Sequence, residues 1–132
     1  TPQQQGSKRN VGGNRFIEAN KNLAPWRADA IAYLQAEWRG RGPITEPVSL
    51  DVAFDFARPA SHYGTGRNAG VLKPSAPSAK ATAPDLDKLC RALGDALTQS
   101  GVLRDDALIV EWVARKQWAR KPDTWLQITS TN

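Results

Sequence analysis

Val48-Ser49-Leu50-Asp51-Val52-Ala53-Phe54-Asp55-Phe56 alternates without a break. Val48, Leu50, Val52, Phe54 and Phe56 fall on one side of an extended chain. Ser49, Asp51, Ala53 and Asp55 fall on the other. A period of two is the mark of a half-buried strand, with one face on a core and the other in water. Asp51 and Asp55 resemble a catalytic pair in spacing alone. The alternation instead assigns them to the solvated face.

On the N-terminal side, Trp26, Ala30, Ile31, Leu34 and Trp38 recur at helical spacing behind Pro25, which suits a first helical turn. The spacing predicts a helix over 25–39, ended by Gly40 and the R-G-R-G-P tail. Residues 1–24 are polar and basic, with Lys8, Arg9, Arg15 and Lys21 among Gly6, Gly12 and Gly13. They read as a loop with a short strand around Asn14–Ile17.

On the C-terminal side, residues 57–83 form a long segment rich in Gly, Pro, Ser and Ala. It carries Arg58, Arg67, Lys73 and Lys80 and no acidic residue. Such a loop is either a floppy insertion or a flexible basic arm that follows phosphates. His62 lies within it and reads as solvent-exposed. Leu86, Leu89, Cys90, Leu93 and Leu97 then share a helical face from Leu86 to Thr98, closed by Gly101. Leu108–Lys116 and Thr124–Ser130 read as two further strands. The expected fold is α+β: one domain over residues 1–132, with a small mixed sheet and two main helices packed on it.

Composition narrows the function. A net charge of +5 and a pI of about 9.7 favour an acidic partner such as nucleic acid. No apolar run reaches the length of a membrane span, and the T-P-Q-Q-Q-G-S-K-R start has no apolar core, so it does not read as a signal peptide. These features fit a cytoplasmic protein. Cys90 is the only cysteine and cannot form an internal disulfide; it reads as a buried small hydrophobe. His62 is the only histidine, so a histidine-based zinc site is not indicated.

Against this basic background the acids of P-D-L-D-K, Pro84 to Lys88, and of R-D-D, Arg104 to Asp106, stand out. In an extended segment Asp85 and Asp87 point to the same side. The helix after them is about 20 Å long, and the chain then turns back through Asp105 and Asp106. Carboxylates brought together repel unless a divalent cation neutralises them. Oxygen-only ligands favour Mg²⁺, with Mn²⁺ as a substitute, and such ions activate water for phosphodiester cleavage. Helix N-capping by the first pair and a polar turn at the second are the competing readings. Arg91, one turn beyond Asp87, is placed either to contact a phosphate or simply to face solvent.

P-D-L-D-K-L-C-R-A-L-G-D-A-L-T-Q-S-G-V-L-R-D-D-A-L-I-V-E-W-V-A-R-K, Pro84 to Lys116, resembles the signature of RusA-type Holliday junction resolvases. Q-G-S-K-R, the P-W-R helix start and R-P-A-S-H-Y-G-T-G-R-N resemble the versions found in actinobacterial phages and prophages. The resemblance implies a homodimeric, Mg²⁺-dependent endonuclease that resolves four-way DNA junctions by paired symmetric nicks. It implies metal-binding catalytic roles for Asp85, Asp87 and Asp106, with Asp105 assisting. Arg91 stands where the family usually has a functional Lys, and Lys and Arg are not interchangeable at a tight site. Lys88 replaces the usual Asn, and Asp95 reads as supporting. The strand that usually precedes the Q-G-S-K-R loop is not in this sequence.

Lys8, Arg9, Arg15, Arg67, Lys88, Arg91 and Lys116 are the expected DNA contacts. The C-terminal cluster of Arg115, Lys116, Arg120 and Lys121 around Trp118 lines either the DNA surface or a solvated hairpin tip. Val110 and Trp112, or the helix bearing Trp26 and Trp38, offer apolar surface for a dimer, and all are equally good core residues. A non-catalytic protein that binds branched DNA is the alternative function.

Overall fold

The computed structural model describes the backbone of residues 9–15 and the whole of residues 23–132. Its elements run β1 (Arg9–Arg15), α1 (Leu23–Glu37), β2 (Val48–Ala57), α2 (Leu86–Gln99), β3 (Ile109–Ala119) and β4 (Asp123–Ser130), with three short 3₁₀ turns between them. The architecture is α+β, with a mixed four-stranded sheet in the order β1-β4-β2-β3. β2 pairs antiparallel with β4 and parallel with β3, and β1 closes the far side antiparallel to β4. The N-terminal strand thus lies at 9–15, earlier than the Asn14–Ile17 expectation. Its glycines, Gly12 and Gly13, read as loop residues in isolation, but pairing with Ile128 and Gln127 holds them extended.

β2 is the central organiser. Val48, Leu50, Val52, Phe54 and Phe56 are all buried, and they form one core cluster with Trp26, Ala30 and Leu34 of α1 and Leu89, Leu93 and Leu97 of α2. The Trp26 and Phe54 rings meet edge-to-face at 6.1 Å. Trp26 is 1% exposed, so it is core and not dimer surface. The opposite face of β2 is polar and cross-paired. Ser49 donates to Glu111, Asp51 pairs with Arg115 at 3.3 Å, and Asp55 accepts from Gln117 at 2.8 Å. Asp51 and Asp55 therefore sit on the outer face, as the alternation predicts.

α1 begins two residues before Pro25 and ends at Glu37. Trp38 lies just past the helix, where its indole donates to the Gly42 carbonyl and Arg41 stacks on its ring. α2 ends where Gly101 adopts φ +86°, which a side chain would resist; the amides of Val102 and Leu103 then return to the Leu97 carbonyl. An ion pair between Arg27 and Asp95 joins the two helices at 3.3 Å.

The 57–83 segment carries its own hydrogen bonds. Gly64 donates to Val71, Lys73 to His62, and Tyr63 bridges Leu72. His62 departs from the solvent-exposed expectation: its ring packs edge-on against Trp118 at 4.9 Å, because the segment folds back over the end of β3.

Candidate active site

α2 starts at the acidic stretch. Asp85 is its N-cap residue, and the amide of Leu89 donates to the Asp85 carbonyl. The Asp85 carboxylate makes no capping hydrogen bond. The simplest competing explanation for an Asp at this position is therefore not what its side chain does. The carboxylate is exposed and lies 3.9 Å from Lys88.

Asp87, Arg91 and Gly94 follow at spacings of four and three, which places them on one face of α2. That face, with Leu86, Cys90, Asp106, Ile109 and Trp112, lines an open cleft of about 620 Å³. The cleft brings together Asp87, Arg91 and Asp106 from sequence segments separated by the full length of α2.

Asp106 is placed by two features. The turn after α2 is tied down by Ile44, whose amide donates to the Val102 carbonyl and whose carbonyl accepts from Arg104. Val102 and Leu103 are both buried beside it. Gly94 then leaves room for the approach. A Cβ there would lie 3.8 Å from the Asp106 Cβ and 3.9 Å from its carboxylate Oδ2. This is ordinary contact for one methyl group, but a longer side chain would displace the carboxylate. Gly94→Ala should therefore keep the site and raise stability by about 0.5–1 kcal/mol, since Gly is costly inside a helix. Gly94→Leu should leave α2 folded and cripple the site. Urea unfolding together with a nuclease assay of both variants checks this pair.

Asp105 has a different local role. Its carboxylate accepts from the Ala107 amide at 2.9 Å and caps the 3₁₀ turn that carries Asp106. That hydrogen bond, followed by one with the Asp106 side chain, holds the Asp105 carboxyl below its ordinary range. A lowered carboxyl contributes stability above its unfolded-state value and loses it as the pH falls through the folded value. The turn should accordingly loosen only in strong acid.

Cys90 is half-buried on the cleft wall rather than fully buried. Burial, and secondarily the Asp87 carboxylate, pushes its thiol up, away from the thiolate a nucleophile needs. It contributes an apolar surface beside Asp87.

Asp85 lines the start of α2 but not the cleft. Among the described residues no three His, Cys, Asp or Glu side chains form a ready metal-ligand group. The donor chemistry still fits a hard divalent cation. Asp87 and Asp106 are exposed carboxylates facing one cleft, Asp85 is free of capping duty, no imidazole lines the cleft, and burial pushes the Cys90 thiol on its wall away from the thiolate that binds metal.

Of the expected DNA contacts, Lys8 lies outside the described residues, and the side chains of Arg9 and Arg15 lie outside them too. Arg67 is exposed on a 3₁₀ turn of the 57–83 segment. Lys88 and Arg91 are exposed on α2, where both line a smaller hollow beside Arg27 and Asp95. Lys116 turns inward, donating to the carbonyls of Thr82 at 2.8 Å and Pro84 at 2.9 Å. Sequence reading gave no role to Lys80 beyond loop charge, yet it is 8% exposed and bonded beside Lys116. A lysine in a Ser/Ala/Pro-rich loop carries no periodic sign of burial.

No described helix is long and apolar enough to cross a membrane. Among protein families, the model of the endodeoxyribonuclease RusA family matches residues 1–129. No curated protein matches the chain.

Proposed function

The chain belongs to the RusA endodeoxyribonuclease family, and from that membership we propose that it is a divalent-metal-dependent nuclease that resolves four-way DNA junctions by paired symmetric nicks. The observation that carries the reading is the cleft shared by Asp87, Arg91 and Asp106.

Asp87 and Asp106 would hold Mg²⁺ or Mn²⁺, with Asp85 adding a ligand from the helix N-cap and Asp105 keeping Asp106 in place. Such an ion supplies activation of water and stabilisation of the departing phosphodiester oxygen. Arg91, one helical turn from Asp87, binds the phosphate under attack and offsets its developing charge. Leu86, Ile109 and Trp112 give the cleft an apolar wall beside the carboxylates. Arg67 and Lys88, with Lys8, Arg9 and Arg15, track the phosphate backbone.

Two symmetric nicks need two sites. β3 lies at the edge of the described sheet, and Val110, Trp112 and Val113 are exposed along it. An unpaired strand edge with apolar side chains is a ready surface for a second copy. A two-fold dimer across it would present two clefts to opposed strands of a junction.

The decisive experiment uses a mobile four-way junction with labelled arms, with and without Mg²⁺. Paired nicks at symmetric positions that require Mg²⁺ are expected. Binding in the absence of metal should weaken steeply with salt, since each phosphate contact releases counterions. Binding with no nicks at several pH values, in both Mg²⁺ and Mn²⁺, would leave only the DNA-binding alternative.

A further inference from the structure

Thr82, Ala83 and Pro84, the three residues before Asp85, all point their carbonyl oxygens at lysine ammonium groups. The Lys80 Nζ donates to Thr82 O at 3.1 Å, to Ala83 O at 2.7 Å and to the Thr82 hydroxyl. The Lys116 Nζ donates to Thr82 O and Pro84 O. Thr82 O is thus shared by two cations. Pro84 is itself buried.

Burying an ammonium is costly unless it is well bonded. Lys80 is 8% exposed, and its Nζ also lies 4.8 Å from the Phe56 ring centroid and 5.2 Å from that of Trp118. Burial, and then the neighbouring Lys116, pushes its ammonium below the usual lysine range. Two like charges converge here although, among the described residues, no carboxylate is hydrogen-bonded to either. A surface loop needs no such arrangement. It does fix three successive peptide units against β2 and β3, the two strands that carry Phe56, Lys116 and Trp118.

We propose that Lys80 and Lys116 are positioning residues: their ammonium groups clamp the Thr82–Pro84 backbone to the sheet and thereby set the place and direction of Asp85 at the head of α2. The inference rests on reading Asp85 and Asp87 as metal ligands. It assigns the two lysines a role through the backbone rather than through DNA. Arg58 and His62 extend the clamp. Arg58 donates to Pro77 O at 2.7 Å, and both side chains cover Trp118.

The test is direct Mn²⁺ binding, measured by electron paramagnetic resonance, in the parent, Lys80→Met and Lys116→Met. Methionine keeps the length and apolar stem and removes the ammonium. Partners that orient metal ligands typically cost about 10–100-fold in affinity when lost, so the Mn²⁺ dissociation constant should rise by that factor in both variants. The sign separates geometry from charge. Removing a cation near an acidic site lessens repulsion of the metal, so a purely electrostatic role predicts tighter binding. Unchanged or tighter Mn²⁺ binding in the variants, or no Mn²⁺ binding by the parent, overturns the proposal. If Lys80→Met does not fold, Lys116→Met decides, since Lys116 is only half-buried. If the parent binds Mn²⁺ but nicks no junction, the nuclease reading falls and the Mn²⁺ constants still decide the clamp.

Discussion

Asp87→Asn should reduce junction nicking by about a thousandfold or more while leaving the protein folded and able to bind DNA. Asp87 is exposed on the first turn of α2 and has no ion-pair or hydrogen-bond partner among the described residues. Exchange for its neutral isostere should shift stability by no more than about 0.5 kcal/mol. The loss lies in the chemistry. Charge stabilisation by a bound metal is worth several kcal/mol in the transition state, and each 1.36 kcal/mol is a factor of ten in rate. Junction binding without metal should tighten slightly, because one anionic group leaves a DNA-facing cleft. Asp106→Asn should behave alike, since its carboxylate faces the same cleft across Gly94. Asp105→Asn should be milder, because asparagine can still accept from the Ala107 amide and keep the turn. Single-turnover cleavage of a labelled junction at saturating Mg²⁺ checks all three. Parent-like cleavage by Asp87→Asn would remove the cleft from the mechanism.

The site was legible in the sequence to the extent that it depends on local spacing. P-D-L-D at a helix start, R-D-D after it, and Asp87, Arg91 and Gly94 on one helical face can all be read from residue order. The meeting of Asp87 with Asp106 could not be. It rests on Ile44, 60 positions before Arg104, pinning the turn by two backbone hydrogen bonds, and on a glycine whose value lies in the contact it permits. Ile44 carries no motif, and backbone pairing across such a distance leaves no periodic trace. Lys116 shows the same limit from the other side. A lysine near the end of a basic strand suggests phosphate contact, whereas the alternation of β3 turns it inward to the Thr82–Pro84 carbonyls.

For the fold, periodicity was sufficient where one face is buried. β2, α1 and α2 were recognisable to within about two residues, because Val48 to Phe56, Trp26 to Leu34 and Leu86 to Leu97 each expose one consistent stripe to the core. β1 was misplaced because Gly12 and Gly13 owe their extended conformation to β4. The order β1-β4-β2-β3 is a further step removed. Nothing in the chain says that β2 will take β4 on one side and β3 on the other.

That central position makes Phe54→Ala the largest expected loss of stability. Phe54 is fully buried, lies edge-on to Trp26, and sits in the strand that pairs with both β3 and β4. Truncating a buried Phe to Ala typically costs about 3–5 kcal/mol, from lost transfer energy and the cavity left behind. A domain of this kind has only about 5–15 kcal/mol in total. Collapse is hindered here because the cavity would be walled by a sheet on one side and α1 on the other. The midpoint of thermal unfolding should therefore fall by roughly 10–20 °C. Val71→Ala is the matching control. Val71 is 55% exposed on the 57–83 segment, and its truncation should move stability by no more than about 0.5 kcal/mol. Phe54 does not line the cleft, so at low temperature the fraction still folded should nick junctions at the parental rate per active molecule. A melting midpoint within about 3 °C of the parent would mean that α1 and the sheet do not share one core. Parental stability with lost nicking would instead place Phe54 in the path that supports Lys116, its partner in the β2–β3 register.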